Sequence, residues 1–213
     1  NDLNISGFDK AEITAKNGRD LTIGNSNDGN SGAEAKAVTF NNVKDSKISA
    51  NGHNVTLNSK VETSGSNDST QDSSDNNTGL TINAKNVTVS NDITSHKTVN
   101  ITASEKLTTK ADATINATNG NVKVTTQTGD IKGQVKSTSG DVEITASGDT
   151  LNVSNVSGSA VTITADKGKL TAQAGSTVSA TNGVTASSQS GDIGGTISGK
   201  TVNVKATERL TTQ

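Results

Sequence analysis

Proline, cysteine, methionine, tryptophan and tyrosine are all absent from this 213-residue chain, and Phe8 and Phe40 are its only aromatic residues. Each absence excludes something. Without Cys there is neither a disulfide framework nor a thiolate metal site, and the redox compartment stays open. Without Pro no strand lacks a ladder donor, which suits strands that are paired on both sides. Without Trp or Tyr, a sugar has almost no ring to stack on, so any sugar recognition must rest on polar hydrogen bonds. No run of 18 apolar residues occurs, so no transmembrane segment is expected. No signal peptide is visible and the first residue is Asn1, so the chain reads as a fragment of a longer protein. Nineteen basic and 21 acidic residues leave a net charge of −2, which argues against a nucleic-acid partner.

Large aliphatics are scarce too. Val, Ile, Leu and Phe together number 41 residues. So few would suit a disordered chain, but the high net charge that accompanies disorder is missing. A solenoid resolves the conflict, because its narrow core needs only a few aliphatics per turn.

The chain repeats itself at matching offsets. Val99-Asn100-Ile101-Thr102 returns as Val161-Thr162-Ile163-Thr164, and Lys106-Leu107-Thr108 returns as Lys169-Leu170-Thr171. Ala117-Thr118-Asn119-Gly120 returns as Ala180-Thr181-Asn182-Gly183, and Gly129-Asp130-Ile131 as Gly191-Asp192-Ile193. These shifts are 62 or 63 residues, and Thr98-Val99-Asn100-Ile101 returns at a shift of 103 as Thr201-Val202-Asn203-Val204. A unit of about 20.7 residues divides both offsets, a length typical of solenoids. Apolar–polar–apolar triplets such as Leu3-Asn4-Ile5, Leu21-Thr22-Ile23, Val55-Thr56-Leu57, Val122-Lys123-Val124 and Leu151-Asn152-Val153 read as short strands with two residues inward and one outward. The expected fold is all-β: a parallel β-helix of about ten rungs forming a single domain over residues 1–213. One rung buries too little to order itself, so rungs should not fold singly.

Asn17-Gly18, Asn51-Gly52, Asn119-Gly120, Gly129-Asp130, Gly140-Asp141, Gly148-Asp149, Asn182-Gly183 and Gly191-Asp192 read as rung corners. Residues 24–36 and 63–79 lack alternation and read as inserted surface loops, either flexible decoration, the favoured reading, or binding loops on a rigid scaffold.

Catalytic chemistry is not evident. His53 and His96 lie about two rungs apart and could share a face, but no acidic pattern accompanies them as a metal site would require. Asp130, Asp141, Asp149 and Asp192 read as solvated turn formers, without the glycine-rich nonapeptide of calcium-binding rolls. No carboxylate constellation marks a polysaccharide lyase. No enzyme activity, metal or cofactor is therefore expected. Lys106, Lys169 and Arg209 share one phase of the repeat; a basic lane for an anionic sugar is one reading, and an ordinary solvated face is the favoured one. Outward Thr residues are mixed with Lys, Glu and Asn, so no clean ice-binding array is expected. Nine Asn-x-Ser/Thr sequons occur, at Asn4, Asn54, Asn67, Asn76, Asn86, Asn100, Asn116, Asn152 and Asn155. That number is close to chance for this composition. Phase says more: Asn4, Asn54, Asn86, Asn100 and Asn152 should all face outward, open to N-glycosylation.

Three longer stretches carry a resemblance. They are Val38-Thr39-Phe40-Asn41-Asn42-Val43-Lys44-Asp45-Ser46-Lys47-Ile48-Ser49-Ala50, Thr98-Val99-Asn100-Ile101-Thr102-Ala103-Ser104-Glu105-Lys106 and Gly191-Asp192-Ile193-Gly194-Gly195-Thr196-Ile197-Ser198-Gly199. The chain resembles the high-molecular-weight adhesins of non-typeable Haemophilus, filamentous-haemagglutinin-like exoproteins of two-partner secretion. The resemblance implies a right-handed β-helix, export through an outer-membrane two-partner-secretion pore, and retention on the bacterial cell surface. It implies attachment to sialylated host glycoconjugates on epithelium, and glycosylation of sequon Asn residues by a cytoplasmic glycosyltransferase. No short motif carries the sugar-contacting residues, so none transfers. A structural stalk, with the adhesive site elsewhere in the parent protein, is the alternative expectation.

Overall fold

The computed structural model describes residues 2–24, 37–65 and 79–213. Among these residues there are eighteen strands, from Leu3–Ser6 to Thr201–Thr212, and no helix. Every pairing between them is parallel. The chain is a β-solenoid with three faces.

The registers divide it into nine rungs: 3–23, 38–57, 61–89, 93–109, 114–131, 134–153, 156–172, 177–193 and 196–212. Seven of these lie between two neighbours. Ten were expected, because dividing the length by the repeat also counts residues 25–36 and 66–78, which lie outside the described residues. The rungs that contain them are long, running from Leu3 to its partner Val38 and from Val61 to its partner Ile93. The anticipated loops at 24–36 and 63–79 therefore fall mostly outside the described residues. Their edges are corrected, since Thr63 and Ser64 belong to strand Val61–Ser64 and Gly79 opens strand Gly79–Val89.

The sequence offsets have a direct structural meaning. Val99 pairs with Val122, then Val142, then Val161, so a shift of 62 is three rungs. Two further pairings, Val184 and Val202, bring it to five. Like residues consequently stack into columns. Leu3, Val38, Val61, Ile93, Ile115, Val135, Val156, Val178 and Ile197 form one on the first face. Ile13, Ile48, Ile82, Ile101, Val124, Ile144 and Ile163 form another on the second face. β-Branched side chains fit such columns because they fill the pleat between rungs about 4.8 Å apart. In the first and last rungs the columns have a neighbour on one side only, and Leu3, Val202 and Leu210 are about half exposed there.

The third face shows a different device. Its first inward column reads Leu107, Gly129, Leu151, Leu170, Gly191, Leu210. A Cβ on Gly129 would lie 2.7 Å from Leu151 Cδ1, and one on Gly191 would lie 2.8 Å from Leu210 Cδ1. Each Leu thus fills the space left by the glycine in the rung before it. Gly129-Asp130 and Gly191-Asp192 are therefore strand residues, contrary to their reading as corners. Gly18 and Gly52 do sit at corners with positive φ, 76° and 70°.

Several inward positions carry hydroxyls, and nearly all are satisfied. Thr126 Oγ1 donates to the Thr128 carbonyl at 2.7 Å, and Ser137 Oγ donates to the Gly120 carbonyl at 2.6 Å. Thr109 Oγ1 accepts from the Gly133 N–H at 3.0 Å. Ser46, stacked between Ala11 and Leu80, is the exception among the described residues: its buried Oγ has no partner. A buried polar group without a hydrogen bond costs free energy. Ser46→Ala is expected to stabilise the coil by about 1 kcal/mol, read as a higher urea midpoint with an unchanged slope.

Candidate functional site

Corner length decides where the surface is concave. Between the second and third faces, rungs two, three and four differ in the residues that round the corner. Ala50 pairs with Ala84 and Asn54 with Asn86, so rung two spends three residues there and rung three only Lys85. Ala84 pairs with Ala103 and Asn86 with Lys106, so rung four spends two. The short middle corner lies recessed between two taller ones. The resulting groove of about 410 Å³ is lined by Lys47, Ser49, Asn51, Gly52, Asn83, Ala84, Thr102 and Ser104. Ser49, Asn83 and Thr102 lie in one column at about 4.8 Å spacing, but Ser49 is buried with its Oγ 3.3 Å from Thr14 Oγ1, so Asn83 and Thr102 carry the column's accessible polar groups. Ala84 leaves the floor open. Gly52, with its positive φ, lets the tallest corner turn beside the rim.

Hydroxyls, amides and one ammonium group make this a hydrogen-bonding site. Among the described residues Lys47 forms no ion pair, although Glu12 is its register partner in the rung before. Beside the recess, Lys85 Nζ lies 3.1 Å from Glu105 Oε1. Beyond the tall corner, Asp20 Oδ1 accepts from the Asn54 N–H at 3.0 Å. That bond holds the Asp20 carboxyl below its ordinary value, helped by the Asn54 side chain and by His53, against a weaker opposing effect of burial. A lowered carboxyl favours the folded state above its ordinary pKa, and this contribution is lost as pH falls through the lower folded value.

The structure separates some residues that spacing had grouped. His53 lies at the corner between the second and third faces, within strand Asp45–Leu57. His96 lies between strands Ile93–Ser95 and Thr98–Thr109, at the corner between the first and second. They do not share a face. Among the described residues, no three His, Cys, Asp or Glu side chains gather as a metal site would require.

The basic lane is real in register. Lys106, Lys169 and Arg209 precede Leu107, Leu170 and Leu210 of the same column, three and then two rungs apart. Lys169 Nζ lies 3.4 Å from Asp192 Oδ2, however, which partly neutralises the lane at its centre. Thr102, Thr125, Thr145 and Thr164 stack outward on the second face, but the neighbouring column holds Asn100, Lys123, Glu143 and Thr162. Phe40 is fully buried, and Phe8 is 57% exposed.

Among the sequons, Asn4, Asn100 and Asn155 are exposed, and Asn54, Asn86, Asn116 and Asn152 are half-buried. Asn86 Nδ2 donates to Asn54 Oδ1 at 2.9 Å, so these two outward residues bind each other across rungs. Asn155 Oδ1 accepts from the Thr177 N–H at 2.9 Å. Asn67 and Asn76 lie outside the described residues. Among the described residues no helix is long and apolar enough to cross a membrane.

The groove was missed in the sequence, although its signal was present. The spacings Ala50 to Asn54, Ala84 to Asn86 and Ala103 to Lys106 differ, and differing corner lengths in a stacked coil make a hollow. Comparison with family models, with curated proteins and with solved structures gave no match.

Proposed function

We propose that this chain is a segment of a non-catalytic bacterial surface adhesin that binds sialylated host glycans and mediates attachment to epithelium. The observation that carries the reading is the groove at rungs two to four. It offers polar partners at a regular spacing and the Lys47 ammonium, a set suited to sugar hydroxyls and a carboxylate. The rigid coil holds these groups in place, so little ordering entropy is lost on binding. With no aromatic platform in the groove, single-site affinity is weak, and many copies at a cell surface raise it by avidity.

The resemblance to two-partner-secretion exoproteins supports the rest of the proposal. It adds export through an outer-membrane pore, a bacterial cell-surface location, and modification of sequon asparagines by a cytoplasmic glycosyltransferase. Among the described residues, Asn4, Asn100 and Asn155 are the most accessible acceptors.

Binding to immobilised glycans, with and without prior sialidase treatment, tests the reading. Signal that sialidase removes supports a sialic-acid-binding module. Lys47→Ala is expected to weaken that signal about tenfold while leaving the β-rich circular dichroism spectrum unchanged. The second reading is a stalk, favoured by the continuous nine-rung ladder. A folded protein that binds no glycan would favour it.

A further inference from the structure

The construction of the groove occurs a second time. Between the first and second faces, rungs six, seven and eight also round their corner with three, one and two residues. In rung six, Thr138–Gly140 separate Ser137 from Asp141, whose Oδ1 accepts from the Ala160 N–H at 2.9 Å. Gly158 pairs with Ala180 and Ala160 with Gly183, so rung seven spends only Ser159 there and rung eight spends Thr181 and Asn182. The short corner again lies between taller ones, and the hollow has a volume of about 320 Å³. Lys136, Ser157 and Ser179 form one outward column along it. Its floor is small, formed by Ser137, Gly158 and Ala180. As with Lys47, the lysine stands on the first of the three rungs and has no ion-pair partner among the described residues. The hollow falls within the roughly 300–1,000 Å³ range of small-molecule sites.

We infer that this hollow is a second binding site for the same class of acidic saccharide, with Lys136 receiving the carboxylate and Ser157, Ser159 and Ser179 the ring hydroxyls. The inference rests on the reading of the first groove. The two sites lie on different corners, four rungs or about 19 Å apart along the axis. One rigid chain is then bivalent, which raises affinity for a surface bearing many glycans without any new contact.

The test is amide chemical-shift mapping of the isotopically labelled 213-residue chain titrated with sialyllactose, and separately with lactose. Saturable shifts with sialyllactose are expected around Lys47–Gly52, Asn83 and Thr102–Ser104, and also around Lys136–Thr138, Ser157–Ser159 and Ser179–Thr181. Lactose should leave the second set at least several-fold weaker. Lys136→Gln is expected to weaken the second set about tenfold without moving the first. Ser157→Gln, whose longer side chain points into the hollow from an outward strand position, should abolish it. Shifts in the first set alone would overturn the inference and leave the first groove standing. Shifts in the second set alone would support the inference and overturn the assignment of the first groove. Shifts in neither set would overturn both.

Discussion

Excising residues 134–155, one complete rung, is expected to leave a shorter coil that still folds cooperatively. Each broken column then closes on a like partner. Ile115 meets Val156, Val122 meets Val161, and Val124 meets Ile163, all of them already paired through the rung that is removed. Stability in a solenoid is close to a sum of rung and interface terms, so the loss is local. Excising only residues 134–144 should be far worse. It joins Gly133 to Thr145 and gives the sixth rung half its corners, so that inward residues no longer meet inward residues. Urea unfolding followed by circular dichroism separates the two variants. The full-rung variant should keep a sharp transition with a slope smaller by roughly one-ninth. The half-rung variant should show no cooperative transition. If both behave alike, the columns are not what holds the coil.

The second large effect is expected at Gly129 and Leu151. Leu151→Ala removes most of a fully buried side chain and should cost about 2–5 kcal/mol. Gly129→Leu drives a new side chain into the space that Leu151 occupies, 2.7 Å from the position of the added Cβ, and should cost about 1–3 kcal/mol. The double variant exchanges large for small between adjacent rungs. It should be more stable than the sum of the two losses by about 1–3 kcal/mol, because each change supplies what the other lacks. Chemical denaturation of the four proteins in the cycle measures this coupling. Additive losses would show that the glycine is there for its backbone instead of for its neighbour.

Much of the fold was legible because a parallel coil stacks like on like. Leu3-Asn4-Ile5, Leu21-Thr22-Ile23, Val55-Thr56-Leu57 and Leu151-Asn152-Val153 all lie in strands, with the middle residue outward. The offsets of 62 and 103 residues correspond to three and five rungs. Less legible were inward positions filled by hydroxyls, such as Ser46, Ser95 and Thr126, where alternation alone offers no apolar mark. Gly129 and Gly191 misled for a related reason. Glycine before aspartate is usual in turns, and only the Leu in the following rung reveals that the space is needed.

Residue order alone determined the repeat, the inward and outward sides of the strands, and the exclusion of disulfides. These depend on local alternation and on composition, which act along the chain. The tertiary structure decided the number of rungs, the corner to which each histidine belongs, the pairing of Asn54 with Asn86 and of Lys169 with Asp192, and the two hollows. Those depend on which residues meet across rungs, 23 positions apart for Lys169 and Asp192 and 32 for Asn54 and Asn86, and on how many residues each rung spends at a corner. A corner that is one or two residues shorter than its neighbours is unremarkable in sequence. Between two longer corners about 4.8 Å away on either side, it becomes a groove.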